Sequence, residues 1–317
     1  MAAISVVMGV YNESSDYLIQ SVDSILNQTF SDFEFIIILD NPANEMLKQI
    51  LQDYAKRDSR ICFLINEKNI GLAMTLNRGI KMSTGKYIAR MDADDIALPE
   101  RLEKQYSYLE NNPLIDILAT NIEYIDEKGL NIGHGEKQPV SSDKIKRMLA
   151  YVNILAHSSV MMRKDKILSI GLYRNFPTSQ DRDLWSRAVS ADFQFGMLNE
   201  CLLKYRLNSQ GISSSKSYMQ TLISLYISLL TKEREKTGED SFSEKNLKLF
   251  LEKYRAYDNI EISKFQIARD CFETARMKLK NRHFVSGVGL LIKSMCKHSL
   301  IRKRIYNIFR VVILKIF

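Results

Sequence analysis

The chain lacks the marks of several protein classes. Its four cysteines, Cys62, Cys201, Cys271 and Cys296, lie far apart, with no C-x-x-C pair and no zinc-ligand spacing. That excludes a disulfide framework and a structural zinc site, and it fits a reducing cytoplasm. No uncharged apolar run reaches the roughly 18 residues of a membrane span. The N-terminus enters an apolar pattern, Ile4-Ser5-Val6-Val7-Met8, without a basic leader or cleavage site, so no signal peptide is expected. A Walker loop is missing, which argues against an ATP-driven reaction. Gly287-Val288-Gly289 lacks a third glycine and follows no strand pattern, so it is no dinucleotide fingerprint. There is no internal repeat. Acidic residues are missing from one region: Thr274 to Phe317 holds 11 Lys and Arg and no Asp or Glu.

That last absence changes how the net charge of +8 is read. Outside the tail, 34 basic residues face 37 acidic ones, a net of −3, so the basic character belongs to one segment. A nucleic-acid reader wants a basic face on a folded module, and no nucleic-acid partner is expected. An anionic surface met by the tail fits better. Hydrophobic residues make up 45% of the 317, enough for a sizeable core and too many for global disorder.

Strand and helix patterns alternate through the first part. Ile4–Val10 reads as a buried strand. Ser14 to Gln28 follows with Leu18, Val22 and Ile25 at helical spacing and a serine N-cap. Strands over 34–39, 61–65 and 87–91 alternate with helices over 44–57, 72–82 and 100–111. Further strands are expected at 115–120 and 156–162, an exposed hairpin or loop at 126–139, and a helix start at 181–190. Ser209 to Ser217 reads as a mobile serine-rich stretch, and from Tyr218 onward the pattern is helical. The alternation argues an α/β fold with a mainly parallel sheet covered on both faces.

Ligands bind such sheets beyond the carboxyl ends of the strands. Three polar clusters fall there: Tyr11-Asn12-Glu13, Asp40-Asn41 and Asp92-Ala93-Asp94-Asp95. Three carboxylates in four residues repel one another unless a cation or a solvated loop relieves them. Hard oxygen ligands at that density suit Mg²⁺ or Mn²⁺. On spacing alone, a helix N-terminal region carrying favourable negative charge ahead of Pro99 fits equally well.

Met91-Asp92-Ala93-Asp94-Asp95, taken with Val6-Val7-Met8-Gly9-Val10-Tyr11-Asn12-Glu13, resembles family 2 glycosyltransferases. The resemblance covers roughly residues 3 to 215, with many motifs in order. They include Ser24-Ile25-Leu26-Asn27-Gln28-Thr29-Phe30, Asn69-Ile70-Gly71-Leu72, Asn77-Arg78-Gly79-Ile80 and Ala89-Arg90-Met91. His157-Ser158-Ser159-Val160-Met161, Gln180-Asp181-Arg182-Asp183-Leu184-Trp185 and Tyr205-Arg206 follow. The Leu39-Asp40-Asn41-Pro42 turn is similar to that of bacterial exopolysaccharide and O-antigen transferases of the amylovoran type.

The resemblance implies a GT-A fold over 1–217 (a Rossmann-like, mixed, mainly parallel sheet with helices on both faces) and a helical extension over 218–317. It implies an inverting transfer from a UDP-sugar to a polyprenyl-diphosphate-linked saccharide in bacterial surface polysaccharide synthesis, helped by Mn²⁺ or Mg²⁺. Val10, Tyr11, Glu13, Asn69, Asn77 and Ala93 would line the nucleotide-sugar pocket. Asp40 would accept from the uracil ring N–H, Asp92 would meet the ribose, and Asp94 would hold the metal. Asp181 would be the general base; a helix N-cap is its other reading. Asp95, His157, Gln180 and Arg206 would line the site on the acceptor side.

Two positions depart from the family pattern. Gln180 stands where an acidic residue is common, which leaves Asp181 as the clearer base. Asn208 stands where the family often has a metal-ligating His, so the last ligand there is a weak one. A non-catalytic nucleotide-sugar or glycan-binding partner is the alternative these two residues suggest. No Gln-x-x-Arg-Trp motif is present, since Trp185 is the only Trp, which argues against a processive synthase.

The tail interleaves apolar and basic residues. Ile301, Ile305, Ile308, Phe309, Val312 and Ile316 approximate one helical stripe, too often interrupted by charge to span a bilayer. A basic amphipathic helix lying on the inner face of the cell membrane is one reading, and a helix packed on the rest of the protein is the other.

Overall fold

The structure, a computed structural model, describes residues 2–135, 141–207 and 217–316. Strands β1 (Ile4–Val10), β2 (Phe33–Leu39), β3 (Ile61–Ile65) and β4 (Tyr87–Asp92) alternate with helices α1 (Ser15–Leu26), α2 (Glu45–Arg57) and α3 (Leu72–Met82). All seven residues of β1 are buried, as a strand covered on both faces requires. Ser14 caps α1 by accepting the Tyr17 N–H at 3.2 Å, and Asn44 caps α2 by accepting the Leu47 N–H at 3.1 Å. Gly79 lets α3 lie against β1, because a Cβ there would stand 2.6 Å from Val7 Cγ1.

The chain continues through β5 (Ile96–Ala97), α4 (Arg101–Asn111), β6 (Ile117–Ile125), β7 (Asn131–His134) and α5 (Ser142–Leu149). A 3₁₀ turn at His157–Ser159 leads to β8 (Met161–Arg163), α6 (Lys164–Ser169), α7 (Gln180–Ser190) and β9 (Phe195–Arg206). The sheet order is β3-β2-β1-β4-β8-β6-β9-β5, with β7 paired to β6. The first four strands are parallel, β8 runs antiparallel between β4 and β6, β9 is parallel to β6, and β5 is antiparallel to β9. One core packs α1, α2 and α4 on one face through Leu18, Leu47 and Leu102; a second packs α3, α5 and α7 on the other through Leu76, Ile145 and Trp185.

This is the expected α/β architecture, with local corrections. The strand expected over 156–162 is a 3₁₀ turn followed by a short strand. The strand expected over 115–120 begins later and runs to Ile125. Among the described residues of 126–139, a hairpin forms: Asp126 Oδ1 accepts the Lys128 and Leu130 N–H groups, each at 2.9 Å, around Gly129. Residues 209–216 of the serine-rich stretch lie outside the described residues, as does Asn208.

The chain divides into two compact units, Met1–Leu149 with Asn153–Gly211, and Ala150–Val152 with Ile212–Phe317. In the second unit the described residues after 217 form helices α8 (Ser217–Thr237), α9 (Glu244–Lys253), α10 (Asn259–Lys280), α11 (Phe284–Lys297) and α12 (Ser299–Ile316). Leu222, Phe265, Phe272 and Ile301 are buried in its core. Asp258 caps α10 through the Ile260 N–H at 2.8 Å.

Candidate active site

Glu13, Asp40 and the Asp92–Asp95 turn meet beyond the carboxyl ends of β1, β2 and β4, where the parallel register brings Gly9 beside both Ile38 and Asp92. Burial raises the Glu13 carboxyl above its ordinary range, and the charge of Asp92 adds to that; the Tyr11 N–H, 2.7 Å from Glu13 Oε2, works against it. Asp94 is pushed up to about 7, first by burial and then by the charges of Asp92 and Glu13. Asp95 is fully enclosed and is also raised well above the ordinary carboxylate range, first by burial and then by the charges of Asp94 and Asp92. Asp92 itself is paired with the guanidinium of Arg90, which is buried in β4 at 1% exposure.

Several supports hold this turn. Ser158 Oγ donates to Asp95 Oδ2, and the Arg206 N–H donates to Asp95 Oδ1 at 2.8 Å. Arg206 Nε donates to the Asp94 carbonyl at 2.8 Å, its Nη2 to Gln20 Oε1 at 2.8 Å and its Nη1 to the Asp126 carbonyl at 3.1 Å; Tyr17 stacks beneath the guanidinium. Arg206, expected as a site-lining side chain, is therefore committed to fixing the carboxylate turn.

Asp40 builds the neighbouring loop. Its carboxylate accepts from Asn66 Nδ2 at 2.7 Å and from the Ile70 and Gly71 N–H groups at 2.9 Å each. A carboxylate has about four acceptor positions, so about one remains for a base N–H. Asn69 Oδ1 accepts the Gly71 N–H at 2.9 Å within the same turn. Val10 and Ala93 are buried, and the Val10 carbonyl takes the Asp40 N–H at 2.7 Å; Tyr11 is exposed.

A second group forms around Asp181 at the start of α7. Its Oδ1 accepts the Arg182 N–H at 2.8 Å and its Oδ2 accepts Asn153 Nδ2 at 2.6 Å. Burial raises its pKa above the ordinary carboxylate range; those two donors pull it back, and Asp92 pushes it up again. Asp92 is thus close enough for the two carboxyl groups to feel each other. Asp183, fully buried, pairs with Arg187 at 2.9 Å and lies 3.7 Å from Arg174. Asp181 is not the side-chain cap of α7: Ser179 is the N-cap residue, in the left-handed region at φ 58°, and Gln180 is the first helical residue, buried.

His157, on the 3₁₀ turn, lies beside Tyr173 and near Arg90. Its Nε2 is 2.7 Å from the Tyr173 hydroxyl, and burial, with Arg90 nearby, holds its pKa well below the usual value, so the ring is neutral at pH 7. Tyr173 is held by Asn77, which donates to its carbonyl at 2.8 Å and accepts its N–H at 2.9 Å. Asn77, expected in the pocket lining, spends its amide on Tyr173 and positions that residue instead. Sequence reasoning gives Asn153 and Tyr173 no role and Arg90 only a place in a motif. Arg90 has a readable signal: it is a charge inside an apolar strand, two residues before Asp92 and so on the same face. Asn153 and Tyr173 have none, since each belongs to irregular chain.

Among the described residues no three His, Cys, Asp or Glu side chains are arranged to hold a metal ion by themselves. The donors at hand are the carboxylates of Asp94 and its neighbour Asp92. They fit a cation that takes one or two carboxylates and completes its shell with phosphate oxygens and water, as Mg²⁺ does.

The model of glycosyl transferase family 2 matches residues 5–171. An uncharacterized glycosyltransferase of Methanocaldococcus jannaschii is 40% identical over 223 residues, which is 70% of this chain and 77% of that protein. An amylovoran biosynthesis glycosyltransferase of Erwinia amylovora is 32% identical over 70% of this chain and 84% of its own length. The S. aureus TarS fragment 1-349, solved in complex with UDP-GlcNAc, has the same fold at a TM-score of 0.61 and 16% identity, covering 98% of this chain and 90% of that one. With its GT-A sheet, its helical C-terminal extension and carboxylates gathered at the strand ends, the chain belongs to glycosyl transferase family 2 and is a glycosyltransferase.

Proposed function

We propose that the enzyme transfers a sugar from a UDP-sugar to a lipid-linked saccharide, with inversion at the anomeric carbon, in bacterial surface polysaccharide synthesis. The carrying observation is the pair of carboxyl groups with separate environments, Asp94 in the crowded turn and Asp181 in the first turn of α7. Asp94 faces Asp92 and Glu13, and its raised pKa marks a place where positive charge is wanted. A bound divalent cation there would neutralise a leaving diphosphate. Among the described residues Asp181 forms no ion pair of the kind that neutralises Asp183, and burial raises its basicity, which suits a general base.

The chemistry balances simply. The acceptor hydroxyl gives its proton to the Asp181 carboxylate while its oxygen bonds to the anomeric carbon. The bond from that carbon to the diphosphate oxygen breaks on the opposite face, and UDP leaves. Neutral His157, oriented by Tyr173, would line the acceptor side without adding charge beside the base. Asp40 would offer its remaining acceptor position to the base edge. The relative described as an amylovoran enzyme and the TarS complex with UDP-GlcNAc support this choice of pathway and donor class.

A polyprenyl-linked acceptor would stay at the membrane, and the basic C-terminal region would hold the enzyme there as a peripheral protein on the cytoplasmic face. Incubation with UDP-glucose, UDP-galactose or their N-acetylated relatives, Mn²⁺ and a membrane extract should release UDP only when acceptor is present. Asp181→Asn should lower transfer about 10²- to 10⁴-fold while UDP-sugar affinity stays within about three-fold, less than 1 kcal/mol. Retained turnover in that variant would remove Asp181 as the base.

A further inference from the structure

The tail helix α12 is only partly available to a membrane. Leu300, Ile301 and Val311 are buried. Two of its basic residues are engaged inside the second unit: Arg304 with Glu273 at 3.2 Å, and Arg310 with the Tyr151 hydroxyl at 3.1 Å. Within the apolar stripe read from the tail sequence, Ile308, Phe309 and Val312 do not share one bare face, since Ile308 is half-buried.

The preceding helix shows a different surface. In α11, Gly287 and Ser294 face inward. A Cβ on Gly287 would lie 2.8 Å from Leu279 Cγ, so this side sits tightly on α10. Val285, Val288, Ile292 and Cys296, spaced three, four and four residues apart, form a stripe on the other side. Val285 is 91% exposed, Phe284 at its edge 61% and Ile292 57%. A water-soluble helix does not ordinarily leave such a stripe bare. Lys280, Arg282, Lys293 and Lys297 are exposed around it and make no ion pair among the described residues.

We propose that this face of α11, and not the tail stripe of α12, is the surface that enters an anionic lipid layer. The inference rests on the peripheral-membrane reading above. The rim decides the occupant. A two-fold dimer through this stripe would set two wholly basic rims against each other, since the same patch faces itself. Anionic headgroups meet the same rim with opposite charge, while the stripe enters the acyl boundary.

The test uses the full chain and sedimentation with phosphatidylcholine vesicles, with and without phosphatidylglycerol. Val285→Glu with Ile292→Glu should lower the affinity for anionic vesicles about ten-fold or more, and Phe309→Glu should lower it less than about two-fold. Both variants change exposed positions. A polarity-sensitive dye on Cys296, checked against a Cys296→Ser control, should shift to the blue when anionic vesicles are added. UDP release with a short soluble acceptor should be equal in all forms, which separates this surface from the catalytic reading. Failure of the parent to bind any vesicle would remove the membrane reading itself. Parent binding that the α11 pair leaves intact, with Phe309→Glu abolishing it, would return the surface to α12. A parent dimer that the α11 pair makes monomeric would assign the stripe to a second copy and overturn the proposal.

Discussion

Asp94 shares its turn with Asp92 and Asp95, and each ionisation there raises the cost of the next. Its pKa in the folded chain is about 7, against an ordinary value of 3.8. Because the folded value is raised, its favourable contribution is fully present below about pH 4 and is lost as pH rises through about 7. The loss at about pH 8 is at most about 4 kcal/mol. A divalent cation favours the ionised form and reverses it. Thermal melts should therefore show Mn²⁺ raising Tm by several degrees at about pH 8 and hardly at all at about pH 5. In Asp94→Asn the Mn²⁺ shift should vanish, and the metal-free protein should melt higher than the parent at about pH 8. An unchanged Mn²⁺ shift in that variant would place the cation elsewhere. The sequence announces this crowding through three Asp in four residues. It does not announce which supports hold the turn, because Arg206 and Ser158 come from β9 and a 3₁₀ turn far along the chain. The family resemblance names Arg206 and Asn77 as site-lining residues; that their side chains serve the Asp92–Asp95 turn and Tyr173 is set by tertiary packing.

Helix α3 meets β1 through Gly79, and the tightness of that contact makes it a test of the element. Gly79→Ala would drive a methyl to within 2.6 Å of Val7 Cγ1 and 3.3 Å of Ile38 Cδ1. Overpacking of that kind costs about 1–3 kcal/mol. Chemical denaturation should show the midpoint falling, with the affinity of the folded protein for UDP little changed. A neutral effect would mean that α3 can shift away from the sheet. The β1–β4 half is readable because each strand is a short, mostly apolar run and each helix keeps one apolar face. The other half is readable only in part: α4, β6 and α7 lie close to where they are expected, while β9 and α5 carry no clear pattern. In β9, Asn199 and Glu200 are exposed in mid-strand, where the register with β6 shifts, so the run divides into two short pieces that resemble loops. Helix α5 spans eight residues with only Ile145, Met148 and Leu149 buried, too few for a clear period. The strand expected at 156–162 gives way to a 3₁₀ turn that delivers Ser158 to Asp95, a tertiary demand that overrides local pattern.

Across the whole chain, charge is segregated. From Thr274 onward there are 11 basic residues and no acidic one, while the remainder carries a net of −3. On the proposed function, that division would let a single molecule hold an anionic donor at carboxylates with cation help and still approach an anionic surface with another segment. The two terms of surface attachment respond differently to salt. Raising ionic strength from about 0.15 M toward 1 M shortens the screening length from about 8 Å to about 3 Å, which removes most of the attraction between exposed lysines and headgroups. Each basic residue near the surface is worth about 1 kcal/mol before screening. Apolar insertion of Phe284, Val285, Val288 and Ile292 is not screened and strengthens slightly with excluded salts. Sedimentation with anionic vesicles should therefore fall steeply with added NaCl but level off at a remainder that the Val285→Glu, Ile292→Glu pair removes. With uncharged vesicles the parent should bind weakly and almost independently of salt. If binding instead vanished completely in high salt, attachment would be electrostatic alone, and the exposed stripe of α11 would contribute nothing to it.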